Sequence, residues 1–97
     1  MIIIYITNPT KEKAKEIAKH LLDKKLIACA NLIDSNSLYK WEGELKDENE
    51  VILLAKTTED KFEEVKKEVK KIHPYDIPCI LKIPAEANKE YSEWLEK

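Results

Sequence analysis

The segment HPYDIP, residues 73–78, contains the side chains of this chain that best suit binding chemistry. His73 has an imidazole that titrates near neutral pH and is a common ligand of copper and zinc. Asp76 offers a carboxylate that can serve as a hard ligand or as an acid or base. Because the two prolines restrict φ, the corner presents Tyr75 and Asp76 at low ordering cost. The segment therefore predicts a binding surface or a subunit contact.

The same residues also have a purely structural interpretation. The residue before Pro74 avoids the helical region, so His73 can end a helix, bond the last carbonyls and complement the helix dipole. Asp76 can accept backbone N–H groups in its own turn. Tyr75 is expected to be a packed ring whose hydroxyl lies at a polar cleft. The sequence leaves both interpretations open.

Four other residues are candidates for chemistry. Cys29 and Cys79 form no CxxC pair, which argues against a disulfide framework or a zinc finger, and each is either a metal or redox residue or a small buried hydrophobe. Lys56 ends an apolar run and either holds an anion in a cleft or extends to water. His20 lies among charged residues and is predicted to be solvent-exposed.

Composition excludes several classes of protein. The 97 residues fit one domain, residues 1–97, with a net charge of −2, and all 17 basic residues are lysines, so bidentate arginine contacts to phosphate or guanine are absent. Nucleic acid is therefore not predicted as a partner. One glycine excludes P-loop and dinucleotide motifs, and no serine lies in a nucleophile motif, so no enzyme is predicted.

Location and stability are also predicted from composition. The longest apolar run, residues 1–6, is far shorter than the roughly 20 residues that span a bilayer, and no basic segment precedes it. We therefore expect a cytoplasmic protein without a membrane partner. A Lys/Glu-rich surface without glutamine is typical of proteins from hot environments, which predicts thermostability. The alternative is an AT-rich genome, which also replaces arginine by lysine.

Hydrophobic spacing predicts the element order βαββαβ, followed by a C-terminal helix. The first strand is expected to be buried on both faces. The second helix is predicted to begin with a capping box, Thr57-x-x-Asp60. The predicted ranges are a strand at 1–6, a helix at 10–24, a strand at 26–33, a bend at 34–37, an extended stretch turning at Gly43, a strand at 51–56, a helix ending at His73, a strand at 80–83 and a short helix after Asn88.

This order predicts an α+β, ferredoxin-like fold with an antiparallel sheet of strand order 4-1-3-2. Its second strand and extension span about 15 residues, and so long an exposed edge favours pairing with another copy of the chain. Tyr39 and Trp41 lie two apart on one face and are expected, with Trp94, at an interface or in the core. The alternative is that the extension curls over its own sheet.

Five segments together resemble one known family. They are LIACANL, SLYKWEGEL, LLAKT, HPYDIP and YSEWLEK, and their order and spacing are similar to those of the CutA divalent-cation-tolerance proteins. The resemblance implies a homotrimer whose sheets join edge to edge, with an architecture similar to that of PII signalling proteins. Bacterial members with a copper site carry a cysteine and an additional histidine where this chain has Ile6 and Ile72, so only His73 is retained.

Two functional hypotheses follow from the residues and the resemblance. The first is a homotrimeric metal-homeostasis protein that binds Cu²⁺ or another divalent cation through His73, Asp76 and Cys29, with no cofactor required for folding. The alternative is a PII-like regulator whose inter-subunit clefts, lined by Lys56, Tyr75 and Asp76, bind a small anionic ligand or a partner protein.

Overall fold

The chain folds as a four-stranded antiparallel sheet with three helices. The computed structural model describes residues Met1–Lys97. The elements are β1 (Ile2–Asn8), α1 (Lys11–Asp23), β2 (Cys29–Trp41), β3 (Glu44–Thr57), α2 (Phe62–Ile72), β4 (Ile80–Pro84) and α3 (Lys89–Leu95). The strands lie in the order β2-β3-β1-β4, and every neighbouring pair is antiparallel. The predicted ferredoxin-like fold, its strand order and the additional C-terminal helix are confirmed.

One face of the sheet carries the core. Alternate residues of β1 are fully buried, as are Leu53 and Ala55 of β3, and they pack with the apolar stripes of α1 and α2. Ile3 and Tyr5, which point to the other face, are only partly buried. The prediction that β1 is buried on both faces was therefore wrong, because both core helices lie on the same side of the sheet.

Local chemistry sets the boundaries of the helices. Thr10 caps α1, and its hydroxyl accepts the Lys13 N–H at 3.1 Å. The predicted capping box at Thr57 was wrong: Thr57 ends β3, and its hydroxyl donates to the Leu26 carbonyl at 2.7 Å. A 3₁₀ turn at Glu59–Lys61 leads into α2 instead. The extended backbone of His73 then ends α2 as predicted.

The β2–β3 hairpin is longer and more regular than predicted. No bend interrupts β2 at residues 34–37, and β3 begins at Glu44 rather than at residue 51. Glu42 and Gly43 form the turn with φ of 52° and 83°, as a two-residue type I′ hairpin requires. The hairpin contributes to the elongated dimensions of the molecule, 45 × 25 × 21 Å.

The sheet surface opposite α1 and α2, which we call the open face, is apolar and largely uncovered. Ile33, Leu81 and Ile83 are 45%, 51% and 42% exposed on it. Helix α3 contacts the open face at the end near Cys29, where the Tyr91 hydroxyl lies 3.1 Å from the cysteine Sγ. None of the three helices is long and apolar enough to cross a membrane. The open face is thus a large apolar surface that one chain leaves exposed to water.

Candidate functional site

A cleft of about 780 Å³ lies between the β2–β3 hairpin and the corner at residues 73–78. We call it the corner cleft. Its lining combines aromatic rings, carboxylates and one thiol. The principal lining residues are Tyr39 and Trp41 of β2, Lys46, Glu48 and Glu50 of β3, and Tyr75, Asp76, Ile77 and Cys79 of the corner and the segment that follows it.

Two tyrosine–glutamate pairs organise the wall of the cleft. Glu48 and Glu50 are two residues apart on β3, so both side chains point to the same face. The Tyr39 hydroxyl donates to Glu48 Oε1, and the Tyr75 hydroxyl donates to Glu50 Oε2 at 2.5 Å. Burial and Glu50 raise the pKa of Tyr75, and the hydrogen bond to Glu48 raises that of Tyr39. Both phenols therefore remain protonated donors at neutral pH.

The cleft is acidic. It is lined by Glu48, Glu50 and Asp76, none of which has a lysine or histidine nitrogen within 4.0 Å. Its only lining cation is Lys46, whose Nζ lies 3.6 Å from Glu44 Oε2. Unpaired carboxylates on one concave surface attract cations and disfavour anions.

Burial of the thiol and the nearby Glu50 charge both raise the pKa of Cys79. Cys79 lines the corner cleft together with the carboxylates. A raised pKa keeps the sulfur in its thiol form at neutral pH, and the thiol is a poorer nucleophile and metal ligand than the thiolate. This cysteine is therefore an apolar part of the cleft wall.

His73 lies beneath the cleft and not on its surface. Its Nε2 is 2.8 Å from the Thr7 carbonyl, and its Nδ1 accepts the Tyr75 backbone N–H at 3.1 Å. Together the contacts define a neutral imidazole protonated at Nε2. Burial lowers its pKa, which keeps the ring neutral near pH 7. Both ring nitrogens are thus engaged within the chain, and a metal could bind His73 only if one of these contacts were broken.

Cys29 and Lys56 lie at the other end of the sheet. Both are in register with the start of β1 at Ile3, whereas His73 contacts Thr7, four residues or about 13 Å further along that strand. The Lys56 Nζ lies 5.4 Å from the centre of the Tyr91 ring. Within one chain, the predicted metal set of His73, Asp76 and Cys29 is therefore not brought together.

The three residues predicted to line an inter-subunit cleft do not lie together either. Tyr75 and Asp76 line the corner cleft, but Lys56 does not. No group of three or more histidine, cysteine, aspartate or glutamate side chains is arranged to hold a metal ion. A single copy of the chain thus offers neither of the two sites that the sequence predicted.

The predicted interface residues are exposed on the single chain. Tyr39, Trp41 and Trp94 have 41%, 49% and 51% of their surface accessible. Tyr39 and Trp41 also line the corner cleft, whereas the Trp94 ring packs against Tyr91 with centroids 5.5 Å apart. Their role at an interface stays a prediction.

Sequence reasoning missed Glu48 and Glu50, because the polar run KDENE has no motif and no apolar period. The available signal was that side chains of a strand alternate between the two faces of the sheet. Counting back from Ile52 in steps of two places Glu50 and Glu48 on the same face as Ile52.

His20 was predicted to be solvent-exposed, and its side chain is 31% exposed, but it also contacts a buried carboxylate. Its Nε2 lies 2.9 Å from Oε1 of the buried Glu68. Glu68 Oε2 also accepts a hydrogen bond from Lys71 Nζ at 2.9 Å, and Lys24 Nζ lies 3.5 Å from Oε1. The hydrogen bonds from Lys71 and His20 lower the pKa of Glu68 to about 2. This cluster joins α1 to α2 on the side away from the corner cleft.

The sequence and the fold match one family over nearly the whole chain. The profile of the family described as CutA1 divalent ion tolerance protein matches residues 2–97. This chain belongs to the CutA1 family. The divalent-cation tolerance protein CutA of Pyrococcus horikoshii is 45% identical over 96 residues, which are 98% of this chain and 94% of that relative.

Solved structures of CutA1 proteins agree with the fold. The crystal structure of CutA1 from Pyrococcus horikoshii has a TM-score of 0.94 and 44% identity, and the match covers 98% of this chain and 94% of that one. A PII-like protein CutA from Nostoc sp. PCC 7120, in apo form, has a TM-score of 0.91 and 30% identity over 99% of this chain and 94% of its own. The predicted family membership is confirmed, and the chain is a divalent-cation tolerance protein by family.

Proposed function

We propose that this CutA1 chain acts as a homotrimer that binds Cu²⁺ or another divalent cation where subunits meet, without catalysing a reaction. The corner cleft carries the metal part of this proposal, because its three carboxylates have no cationic partner in the chain. Since no three ligands converge within one copy, a neighbouring copy must complete the coordination. Asp76 stays a candidate ligand, whereas His73 acts by holding the corner against β1.

Self-association is supported by the open face and the hairpin. Ile33, Leu81 and Ile83 leave apolar area in water, and burying such area contributes roughly 25 cal/mol per Å². The long edge of β2 offers unpaired backbone groups that another copy can bond. Sedimentation equilibrium is expected to give three times the chain mass of 11.3 kDa. A monomer at micromolar concentration would contradict the assembly.

Copper binding is tested by titrating metal-stripped protein with Cu²⁺ against a competing chelator. We expect saturable binding at a fixed ratio per trimer, weakened at least tenfold in Asp76→Asn. Glu63→Gln is the matched control, because Glu63 lies on α2 beside Lys66 and outside the cleft. Weak binding of many ions that is equal in all three proteins would sink the metal proposal.

A PII-like regulator is the second candidate. The cleft volume falls in the range of small-molecule sites, and the Nostoc relative is described as PII-like. A thermal-shift screen against metabolites tests this candidate, because a ligand that binds only the folded protein raises its apparent melting temperature. A screen in which metal ions alone shift the midpoint would count against it.

A further inference from the structure

We infer that the corner cleft binds a linear organic cation with at least two protonated amines, of the diamine or polyamine class. This inference rests on the proposed function only in taking the same cleft as the ligand site. It replaces the small anion expected from the sequence. Lys56 is absent from the cleft, and Lys46 is matched by the nearby Glu44.

The spacing of the two glutamates suits a pair of ammonium groups. Glu48 and Glu50 are alternate residues of β3, so their backbones are about 6.7 Å apart along the strand. The two ammonium groups of an extended four-carbon diamine are separated by a similar distance. Each carboxylate has one oxygen bonded to a tyrosine, and the other, Glu48 Oε2 or Glu50 Oε1, has no protein partner. These two oxygens are available as acceptors.

The rest of the lining suits the carbon chain of such a ligand. The rings of Tyr39, Trp41 and Tyr75, with the Ile77 side chain, provide apolar surface in the same cleft as the carboxylates. A cation over the face of a tryptophan or tyrosine ring is attracted by its quadrupole. Asp76 supplies a third carboxylate, which a triamine can reach.

Donor geometry separates this ligand from a bare metal ion. A divalent cation needs several ligands within about 2–2.6 Å of one point, and no three suitable groups converge within one copy of the chain, so a metal site would need ligands from a neighbouring copy. A polyamine spreads its charges along its length, so it matches carboxylates that are spaced along a strand. The tyrosine hydrogen bonds position those carboxylates in advance, which reduces the ordering required on binding.

Calorimetric titration of the protein in its native assembly with 1,4-diaminobutane and with spermidine tests the inference. We expect saturable binding of both, at least tenfold weaker in Glu48→Gln/Glu50→Gln and unchanged in Glu63→Gln. Trp41→Leu, which keeps the charges, is expected to weaken binding by about threefold or more through the loss of the ring. Circular dichroism confirms that each variant is folded, and Trp41→Leu carries the test if the double variant is not.

The titrations distinguish failure of the amine inference from failure of the metal proposal. No saturation, or equal binding by the parent and the variants, overturns the inference. So does loss of spermidine binding in NaCl of the same ionic strength, which would show charge screening alone. The Cu²⁺ titration in the same proteins is scored separately. Copper binding without amine binding overturns only this inference, and amine binding without copper binding overturns only the metal proposal.

Discussion

The two halves of the β2–β3 hairpin share one hydrogen-bonded ladder but differ in what lies against them. The inner half, residues 29–33 with 51–57, has alternate side chains in the core, among them the fully buried Leu53. The outer half, residues 34–50, has no buried side chain, and its leucines Leu38 and Leu45 are 66% and 68% exposed. Backbone pairing alone therefore does not distinguish the two halves.

The difference assigns a separate role to each half. The inner half is stabilised by burial against α1, as in any α+β domain. The outer half gains little from its own chain, and an isolated two-stranded hairpin is marginally stable in water. It is therefore the natural place for contacts with other copies and with ligands, and the corner cleft lies where it meets the residues 73–78 corner.

The largest expected effect compares one leucine from each half. Leu53→Ala removes a fully buried side chain and is expected to lower the free energy of unfolding by about 2–5 kcal/mol. Leu45→Ala in the outer half is expected to change it by less than about 0.5 kcal/mol in dissociated protein. Urea unfolding at low protein concentration measures both. Equal losses would show that the outer half belongs to the core of the single chain.

A second effect concerns the charged cluster on the helices that cover the inner half. Glu68 has a folded-state pKa of about 2, below its ordinary 4.5, so its stabilising contribution is present above pH 4.5 and is lost as pH falls towards 2. We expect Glu68→Gln to lower the melting temperature at pH 7 and to differ little from the parent near pH 2. The exposed Glu63→Gln is the control, and a difference that persists at pH 2 would refute this account.

A substitution at the turn of the outer half is expected to act only through backbone strain. An added Cβ at Gly43 meets no atom within 4 Å, but φ is 83°, so Gly43→Ala is expected to destabilise the hairpin by about 1–2 kcal/mol. Glu42→Asn is the matched control, since asparagine tolerates the φ of 52°. Hydrogen exchange of outer-half amides measures the change. Faster exchange that extends into the inner half would mean that the two halves unfold together.

The smallest expected effect belongs to His73, which holds the corner to β1. Its folded pKa is lowered, so the unfolded chain takes up a proton first and stability falls as pH drops below about 6.5. His73→Gln is expected to flatten the slope of stability between pH 7 and pH 5.5. His20→Gln, a change on the opposite cluster, is the comparison. An unchanged slope in His73→Gln would show that another group titrates there.

Local sequence patterns predicted most of the inner half and little of the outer half. The 3.6-residue stripe of Phe62, Val65, Val69 and Ile72 located α2, and Gly43 located the turn. The strand at residues 44–50 was missed because its pairing is held by backbone bonds to β2 and not by buried side chains. Apolar and polar residues are expected to alternate only in a strand that has one buried face, and this segment has none.

The candidate site shows the same division. Tyr75 and Asp76 of HPYDIP line a cleft, and their part in binding stays a prediction. The role of His73 was not readable, because its bonds to Thr7 and to the Tyr75 N–H depend on a strand 66 residues away and on the backbone of its own turn. The contact between the half-exposed His20 and the buried Glu68 likewise joins two helices through residues 48 positions apart.

The sequence by itself determined the family, the order of elements, the ferredoxin-like topology and the position of the corner. These follow from local periodicity, caps and prolines, and from short motifs. Only the tertiary structure decided which side chains share a surface. In the folded chain Lys56 and Cys29 lie at the far end of the sheet, and both nitrogens of His73 are hydrogen-bonded. Glu48 and Glu50 line the same cleft as the corner. Strand register and sheet pairing set these distances, and they depend on the whole chain packing at once.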